Sequence, residues 1–226
     1  PGTEIIHVLP QGFTVDNNTD IKDPVGMSGV RLEGNFHIVT GQSTAAKNIY
    51  RCVKRAGLEI EDLILQPLAS SYAVLLEDEK EAGVCLVDIG GGTTDVAIFE
   101  DNVIRHTAII PFGGNIITED IKVGCSVMRH QAEILKVKHG CALASALEMD
   151  EILTIPGLSG RPAREIRKKT LAQIIQARVE EIADMVYAEI VNAGYHNKKL
   201  VGGIVLTGGG SELKYKIGRA SCRERV

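Results

Sequence analysis

Two glycine triplets, each standing directly after a short apolar run, constrain the fold of this 226-residue chain more than any other feature. The first triplet, at residues 90–92, follows the apolar run at 84–88 and leads into a second run at 95–99. The second triplet, at residues 208–210, follows the run at 203–206. Short apolar runs bounded by glycine predict buried strands. Both triplets are therefore expected at the ends of strands.

Elsewhere the spacing of apolar residues alternates between the period of strands and that of helices. Predicted helices lie at residues 43–56, 67–76, 115–123, 128–139 and 163–193. Further predicted strands lie at residues 5–9, 13–16, 29–32, 36–40, 58–66, 103–110 and 151–155. The mixture predicts an α/β fold.

The first triplet has the chemistry of a phosphate-binding turn. Glycines let the backbone approach an anion closely, and consecutive N–H groups in such a turn form an anion nest. Thr93 and Thr94 add hydroxyl donors, and Asp88 at the strand end is placed to hold a Mg²⁺ ion through water. The alternative is a β-hairpin with a permissive turn, although a turn needs fewer than three glycines.

The second triplet joins a strand to a predicted helix, where a helix N-terminus attracts phosphate and glycines admit a flat base. Such a turn is common when it stands alone. Neither triplet fits the better-known nucleotide motifs, because a P-loop needs Lys-Ser/Thr at a helix start and no GxGxxG follows a strand. The pair of triplets together predicts a nucleotide site of another kind.

Composition excludes several classes of function. The formal net charge of −4 and the nine aromatic residues, five Tyr and four Phe, argue against a nucleic-acid-binding surface. The five cysteines have neither zinc-ligand spacing nor the pattern of a disulfide framework, which indicates reduced thiols and a cytoplasmic location. The sequence contains no apolar run near the roughly 18 residues needed to span a bilayer.

The segments DIGGGTTD and VLTGGGS resemble the second phosphate loop and the adenosine motif of the actin-like ATPase superfamily. Other segments, among them IIHVLPQGFTVD, IKDPVGMSGVRL and KVKHGCAL, are similar to the FtsA family of bacterial cell-division proteins. The similarity covers residues 1–216. It implies an actin-like ATPase (ribonuclease H-like) fold that is incomplete and includes part of a 1C-type subdomain.

The resemblance implies that ATP binds to three glycine turns, with Mg²⁺ held by Asp88 through water. It assigns the following residues to the nucleotide: Gly90, Gly91, Gly92, Thr93, Thr94, Gly113, Gly114, Asn115, Gly208, Gly209, Gly210 and Ser211. Asp88 and Gln66 are the implied catalytic residues, since Gln66 matches the position that orients the attacking water. A glutamine that faces solvent at a helix start is an equally good interpretation.

Glu133 and Lys136 lie three residues apart on one predicted helix face. Superfamily members use such a pair on the ribose and base of the nucleotide. The alternative is a surface salt bridge, which contributes less than about 1 kcal/mol.

The resemblance also implies a division of the chain into subdomains. Residues 1–40 correspond to the C-terminal part of the 1C-like subdomain, and residues 41–81 link it back to the first lobe. Residues 82–125 and 181–216 correspond to the nucleotide-binding subdomain 2A, with a 2B-like insertion at residues 126–180.

The implied function is an ATP-binding, actin-like scaffold, at most a slow ATPase, that polymerises and tethers FtsZ to the inner face of the cell membrane at the division site. Arg164 and Arg178 are the candidate contacts for the acidic FtsZ C-terminal peptide, although solvated helix faces explain them about equally well. Other division proteins would bind through the 1C-like part. The alternatives are a pilus-assembly or cell-shape protein of the same superfamily, or a small-molecule kinase.

The two ends of the sequence lead to further expectations. The first residue is Pro1 and the opening already reads as a strand, so we expect an internal fragment whose first phosphate loop precedes Pro1 and whose membrane helix follows Lys216. Residues 217–226 read IGRASCRERV, which is the translation of a common sequencing adapter followed by a stop codon. We expect these ten residues to be an artefact and leave them out of fold reasoning.

Overall fold

The computed structural model describes residues 2–157, 162–195 and 200–214. Its strands are β1 (Thr3–Val15), β2 (Asn18–Ile21), β3 (Leu32–Gln42), β4 (Val84–Ile89), β5 (Thr94–Glu100), β6 (Val103–Ile110), β7 (Ile152–Ile155), β8 (Arg164–Arg167) and β9 (Gly203–Thr207). Its α-helices are α1 (Ser43–Arg55), α2 (Gln66–Val74), α3 (Glu77–Ala82), α4 (Gly114–Gly124), α5 (Arg129–His139) and α6 (Lys168–Asn192). Short 3₁₀ turns cover Ala144–Ala146 and Gly209–Glu212.

A four-stranded mixed sheet carries both glycine triplets. Its order is β6-β5-β4-β9, in which β4, β5 and β6 form an antiparallel meander and β9 lies parallel to β4. Asp88 near the end of β4 is in register with Thr207 at the end of β9. Because β4 and β9 run in the same direction, the loops that follow them emerge at the same edge of the sheet.

Both faces of this sheet are covered, which explains why β4 is an uninterrupted apolar run. One face packs against the second half of α6, with the buried residues Cys85, Val87, Val96, Ile98, Ile110, Ile182, Val186 and Ile190. The other face packs against α2 and the start of the chain, with the buried residues Leu75, Val84, Leu86, Ala97, Phe99, Ile104 and Val205. The polar residues that follow β4 are therefore fixed at the edge of a rigid layer.

A second core lies beside the sheet and includes the first half of α6. It is built from α4, α5 and the β7–β8 hairpin, with the buried residues Ile117, Ile121, Cys125, Ala132, Leu135, Leu153, Ile155, Ile166, Leu171 and Ile175. α6 has 25 residues and contributes buried side chains to both cores. One helix thus fixes the second core relative to the sheet.

The beginning of the chain forms a separate three-stranded sheet of order β2-β1-β3, which contacts the edge strand β6. The amide of Gln11 donates to the Ile104 carbonyl at 2.6 Å, and Arg105 donates to the Gln11 carbonyl at 2.9 Å. His37 and Thr107 form a further hydrogen bond of 3.0 Å between the same two sheets. These hydrogen bonds are joined by an apolar contact, since Leu9 of β1 packs on the core that contains Ile104.

Four of the predicted elements are wrong. The helix expected after the second triplet is only the 3₁₀ turn at Gly209–Glu212, because Lys214 then forms a bridge with Cys141. Residues 58–66 form no strand within the described structure, because their backbone finds no partner strand and Leu58 and Ile64 remain exposed. Residues 29–31 are held instead by Asp16, whose carboxylate accepts the N–H groups of Val30 and Arg31. The long helix begins at Lys168 rather than near residue 163, because residues 164–167 pair with β7.

The described cysteines are free thiols, as the spacing predicts. They are Cys52, Cys85, Cys125 and Cys141. Burial raises the pKa of Cys85 to about 12, so this thiol stays protonated in the core. Within the three described ranges, no helix combines the length and the apolarity that crossing a bilayer requires. The segment predicted to be an artefact, residues 217–226, lies outside the described residues.

Candidate functional site

The two glycine triplets meet at the edge of the four-stranded sheet, where the second triplet lies against the end of β4, directly before the first. Gly208 has a φ of +80°, and a Cβ there would overlap Asp88 Oδ1 and lie 2.6 Å from the carbonyl oxygen of Ile89. A Cβ on Gly210 would overlap Cγ2 of Ile89 and lie 2.9 Å from its Cβ. Neither position accepts a side chain without moving these atoms. The second loop is therefore glycine-rich so that it can lie on the end of β4.

A third glycine turn, at residues 113–115, lies on the first triplet. The N–H of Gly114 donates to the Gly90 carbonyl at 2.8 Å, and the N–H of Asn115 donates to the Gly91 carbonyl at 2.7 Å. A Cβ on Gly113 would lie 2.6 Å from the Gly90 carbonyl oxygen. The start of α4 is thus attached to the first loop, and the structure brings all three predicted glycine turns together.

Three other glycines are not required by the protein's own packing. A Cβ on Gly92 or Gly209 would have no atom within 4 Å, and one on Gly91 would lie 3.6 Å from Asn115, an ordinary contact. None of the three has a positive φ. They keep space open that the fold does not fill, and backbone N–H groups in such a turn are accessible to an anion.

A cleft of about 360 Å³ lies among these turns, within the size range of small-molecule sites. It is lined by Gly90, Gly91, Gly114, Asn115, Ile117, Glu133, Lys136, Val137, Gly140, Gly209, Gly210, Glu212, Leu213 and Lys214. Residues from all three glycine turns and the Glu133–Lys136 pair share one cavity, and Ile117 and Val137 add apolar wall. The cleft therefore offers backbone amides, one ion pair and an apolar surface to the same ligand.

Lys136 links α5 to the glycine turn at the start of α4. Its ammonium donates to the Gly114 carbonyl at 2.9 Å, to Thr118 Oγ1 at 2.8 Å and to Glu133 Oε2 at 2.8 Å. Three acceptors match the three N–H groups of an ammonium. Burial opposes ionisation of Glu133, but hydrogen bonds from Lys136 and Thr118 and nearby positive charge lower its pKa overall. The pair holds the cleft wall in place, and its contact with a ribose or base stays a prediction.

Asp88 is buried at the end of β4, and α2 fixes its carboxylate. Ser70 Oγ donates to Asp88 Oδ2 at 2.9 Å, and the amide of Gln66 donates to the same oxygen at 3.2 Å. Gln66 and Ser70 are one helical turn apart, so they lie on one face of α2. The structure thus brings the two predicted catalytic residues, Asp88 and Gln66, into contact.

Asp95 lies opposite Asp88 across the β4–β5 pair and is also buried. Burial and the negative charge of Asp88 raise the pKa of Asp95, and a hydrogen bond from Thr93 offsets part of the rise. In the described part of the chain, no lysine or arginine forms an ion pair with either carboxylate. A cation would relieve this repulsion, and carboxylate oxygens are ligands that Mg²⁺ prefers.

The described residues contain no group of three His, Cys, Asp or Glu side chains that could hold a metal ion. A Mg²⁺ ion beside Asp88 would therefore keep most of its coordinated waters, as this ion commonly does. The buried Asp88 carboxylate fits an ion held through water, and its binding of Mg²⁺ stays a prediction.

The hydroxyl residues of the two motifs support the loops from within. Thr94 is fully buried, and its hydroxyl donates to the Phe112 carbonyl at 2.8 Å. The N–H of Ser211 donates to the Gly208 carbonyl at 3.0 Å and closes the second turn. Contact of Thr93, Thr94 or Ser211 with a ligand stays a prediction.

The two arginines predicted to bind a partner both have internal hydrogen-bond partners. Arg164 on β8 donates to the Ser126 carbonyl at 2.6 Å. Arg178 on α6 forms ion pairs with Asp120 and Glu181. Neither residue lines the cleft. Contact of these arginines with a partner stays a prediction.

Three polar residues at the site were missed by the sequence analysis. Ser70 and Thr118 hold Asp88 and the Glu133–Lys136 pair in place, and Asp95 completes the acidic pair. Ser70 follows Gln66 by four residues, and this spacing could have indicated a shared helix face. For Thr118 no signal exists in the sequence, because its side-chain partners Glu133 and Lys136 come from another helix.

Comparisons with known proteins agree with this geometry. The family model described as "Cell division protein FtsA" matches residues 85–218, and the model described as "SHS2 domain inserted in FTSA" matches residues 1–40. The chain is 46% identical over 210 residues to the cell division protein FtsA of Pseudomonas aeruginosa, covering 93% of this chain and 50% of the relative. It is 43% identical over 228 residues to the cell division protein FtsA of Escherichia coli K12, covering 98% of this chain and 54% of the relative. The chain thus spans about half the length of these curated relatives.

Solved structures share the fold. MreB5 of Spiroplasma citri bound to ADP superposes with a TM-score of 0.62 at 24% identity, covering 76% of this chain and 55% of that one. The PilM–PilN type IV pilus biogenesis complex superposes with a TM-score of 0.63 at 14% identity, covering 94% of this chain and 51% of that one. These similarities confirm the predicted actin-like fold class.

Proposed function

The chain belongs to the FtsA family of cell-division proteins, and we propose that it binds ATP with Mg²⁺ as part of an actin-like scaffold that polymerises and tethers FtsZ at the division site. The observation that carries the nucleotide part is the shared cleft of about 360 Å³, in which three glycine turns and the Glu133–Lys136 pair converge. The similarity to MreB5, whose structure was solved with ADP, supports a nucleotide as the ligand.

The glycines at which a side chain would have room support one orientation of the nucleotide, with the phosphates at the first loop and the adenosine at the second. Gly91 and Gly92 leave the first loop without side chains where phosphates would lie, and their N–H groups supply donors for anionic oxygens. Gly209 and the Glu133–Lys136 pair border the part of the cleft assigned to the adenosine. Bound Mg²⁺ would neutralise phosphate charge next to Asp88, since this ion bridges phosphates to carboxylates through water.

The Asp88 environment supports slow hydrolysis at most. Asp88 and Gln66 are in hydrogen-bond contact, which places a polar amide beside the carboxylate that would face the terminal phosphate. Phosphoryl transfer depends mainly on positioning and charge neutralisation. One glutamine that shares its amide with Asp88 can orient a water molecule, but it supplies little further catalysis. ATP would then act chiefly as a conformational switch that stabilises the closed state by linkage.

The partner part of the proposal rests on family membership and on charge. The second core, which contains α4, α5, β7, β8 and the first half of α6, presents Arg164 and Arg178 to an acidic FtsZ C-terminal peptide. The three-stranded sheet would bind other division proteins. The protein would act at the inner face of the cell membrane.

The nucleotide proposal is tested in a chimera of the E. coli relative, in which this chain replaces the matched half. Asp88→Ala should abolish nucleotide-dependent assembly, measured by light scattering and electron microscopy, and should weaken ATP binding measured by calorimetry with Mg²⁺. Asp184→Ala, an exposed carboxylate on α6, is the matched control and should leave both unchanged. Unchanged ATP affinity and filaments in Asp88→Ala would refute the proposed site.

The FtsZ proposal is tested on the same chimera with an FtsZ C-terminal peptide. Arg178→Glu should weaken peptide binding by tenfold or more, since it reverses the charge that would meet the peptide. Arg167→Glu, at an exposed ion pair on β8, is the control. Equal affinity in the Arg178 variant would remove this residue from the partner site.

A further inference from the structure

Arg178 is held by several other side chains and is not a freely solvated surface cation. Its Nε donates to Asp120 Oδ2 at 2.6 Å and its Nη2 donates to Asp120 Oδ1 at 3.1 Å, which is a bidentate pair. Its Nη1 donates to Glu181. The guanidinium carbon also lies 5.8 Å from the centre of the Phe112 ring, within the range of a cation–π contact. The Arg178 side chain is 21% exposed, so water still reaches it.

These contacts hold the third glycine turn through residues that precede and follow it in the chain. Phe112 immediately precedes the turn at residues 113–115, and Asp120 lies on α4 less than two helical turns after it. The turn itself is hydrogen-bonded to the carbonyls of Gly90 and Gly91 in the first loop. Arg178 lies on α6, which also supports the sheet. One guanidinium therefore ties the cleft wall to the helix shared by both cores.

We propose that Arg178 is a positioning residue of the nucleotide cleft. Through this residue, an acidic partner segment and the nucleotide each lower the protein's affinity for the other. The inference rests on the proposed function, because it concerns regulation of the same cleft. A carboxylate from a partner that takes the Nε–Nη2 edge of the guanidinium displaces Asp120, and α4 then loses its charged tie to α6 while their apolar packing remains. The turn on which the phosphate loop rests becomes less ordered.

The opposition follows from the geometry of the fork. The Nε–Nη2 edge of a guanidinium holds one carboxylate in bidentate form, so Asp120 and a partner that approaches this edge compete for the same atoms. The Asp120 side chain is 28% exposed in its pair with Arg178, and the cation on α4 within one turn of it, Lys122, already pairs with Glu119. Any effect of the partner on the nucleotide is returned equally by the nucleotide on the partner. We expect a mutual effect of about tenfold in affinity.

The positioning role is tested without any ligand, on the 226-residue chain, by amide hydrogen exchange. Asp120→Asn and Arg178→Met should each accelerate exchange at Gly114 and Asn115 by about tenfold relative to the amides of β4. Arg167→Met, which removes an exposed ion pair on β8, should leave these amides unchanged. Acceleration spread evenly over all amides would show a merely global loss of stability, and no acceleration at Gly114 and Asn115 would also overturn the proposal.

The opposition is tested separately in the chimera with ATP, Mg²⁺ and the FtsZ C-terminal peptide. Saturating ATP should weaken peptide affinity by about tenfold, and Asp120→Asn should abolish this difference because the tie is already broken. Equal peptide affinity with and without ATP would overturn the opposition. Failure of ATP or of the peptide to bind would refute the proposed function instead, while the exchange experiment would still decide the role of Arg178.

Discussion

The two glycine triplets have the same composition and lie at the same edge of one sheet, yet the structure uses them differently. In the second triplet, Gly208 and Gly210 pack closely against Asp88 and Ile89, so a Cβ at either position would overlap existing atoms. In the first triplet, Gly92 has no neighbour within 4 Å of a Cβ position. In the second loop glycine is therefore required because neighbouring atoms leave no room for a side chain. In the first loop glycine keeps space free that a side chain would occupy.

There are thus two physical reasons for a glycine triplet, lack of room and need for free space, and the sequence alone cannot distinguish them. The first loop connects two antiparallel strands and projects beyond the sheet, so its tip meets few atoms. The second loop turns back over the end of β4 into a 3₁₀ turn and must pass close to another backbone. Substitutions in the two loops should therefore affect different measurements, the first ligand binding and the second stability.

The largest effect is expected for Gly208→Ala. The residue would have to hold a φ of +80°, which costs an L-residue about 1–2 kcal/mol, and its Cβ would overlap Asp88. Overpacking adds about 1–3 kcal/mol, so the free energy of unfolding in urea should fall by about 3 kcal/mol. Gly209→Ala in the same loop should change it by less than about 0.5 kcal/mol. Similar stability of the two variants would show that the second loop is not packed as described.

The next effect is expected for Gly210→Ala, where the backbone is unstrained and only overlap with Ile89 matters. Unfolding free energy should fall by about 2 kcal/mol. A double-mutant cycle with Ile89→Ala should recover part of this loss, because the smaller side chain makes room. Strict additivity of the two changes would indicate that the two loops are not in contact.

A smaller effect, and on a different measurement, is expected for Gly92→Ala. Its stability should stay within about 0.5 kcal/mol of the parent, since the Cβ meets nothing. ATP affinity measured in the chimera should fall by about tenfold, or about 1.4 kcal/mol, because the methyl group occupies space assigned to phosphate. Gly12→Ala on β1, which also has free space, is the control for both measurements. Undiminished ATP affinity would place the phosphates elsewhere.

The smallest effect concerns the two buried carboxylates, Asp88 and Asp95, on either side of the first triplet. The pKa of Asp95 is raised by burial and by Asp88, so its folded-state pKa exceeds the unfolded value. The stability gained by keeping this proton is complete below the unfolded pKa and is lost as the pH rises through the folded pKa. The free energy of unfolding of Asp95→Asn relative to the parent, measured in urea, should therefore increase as the pH rises from 4 to 7.

A second variant identifies the source of this pH dependence. In an Asp88→Asn background one cause of the raised pKa is removed, so the pH dependence of the Asp95→Asn difference should become smaller. An unchanged dependence would attribute the raised pKa of Asp95 to burial alone.

The sequence predicts the sheet and its loops well, because they depend on local patterns. The apolar run before Asp88 and the glycines after it define β4 and the first turn, and the structure has both. The predicted strand at residues 58–66 is wrong, because a strand needs a partner and apolar residues alone do not supply one. Local pattern carries no information on that partner.

The supporting contacts of the site could not be predicted in the same way. The carboxylate of Asp88 is fixed by Ser70 from a helix 18 residues earlier, and Gly114 is fixed by Lys136 from one 22 residues later. Arg178 reaches Asp120 across 58 residues. Such contacts depend on how helices pack against one another, so they follow from the three-dimensional arrangement and not from spacing within a motif.

The parallel pairing of β4 with β9 has a consequence for synthesis of the chain. β4 begins at residue 84, but the strand that covers its outer edge begins only at residue 203. On the ribosome, β4 and β5 can pair at once, whereas the other edge of β4 stays unpaired until the later strand emerges. An apolar strand with a free edge is a template for association with other chains. The nascent protein should therefore be most prone to aggregation, and most dependent on chaperones, while the long helix is being made.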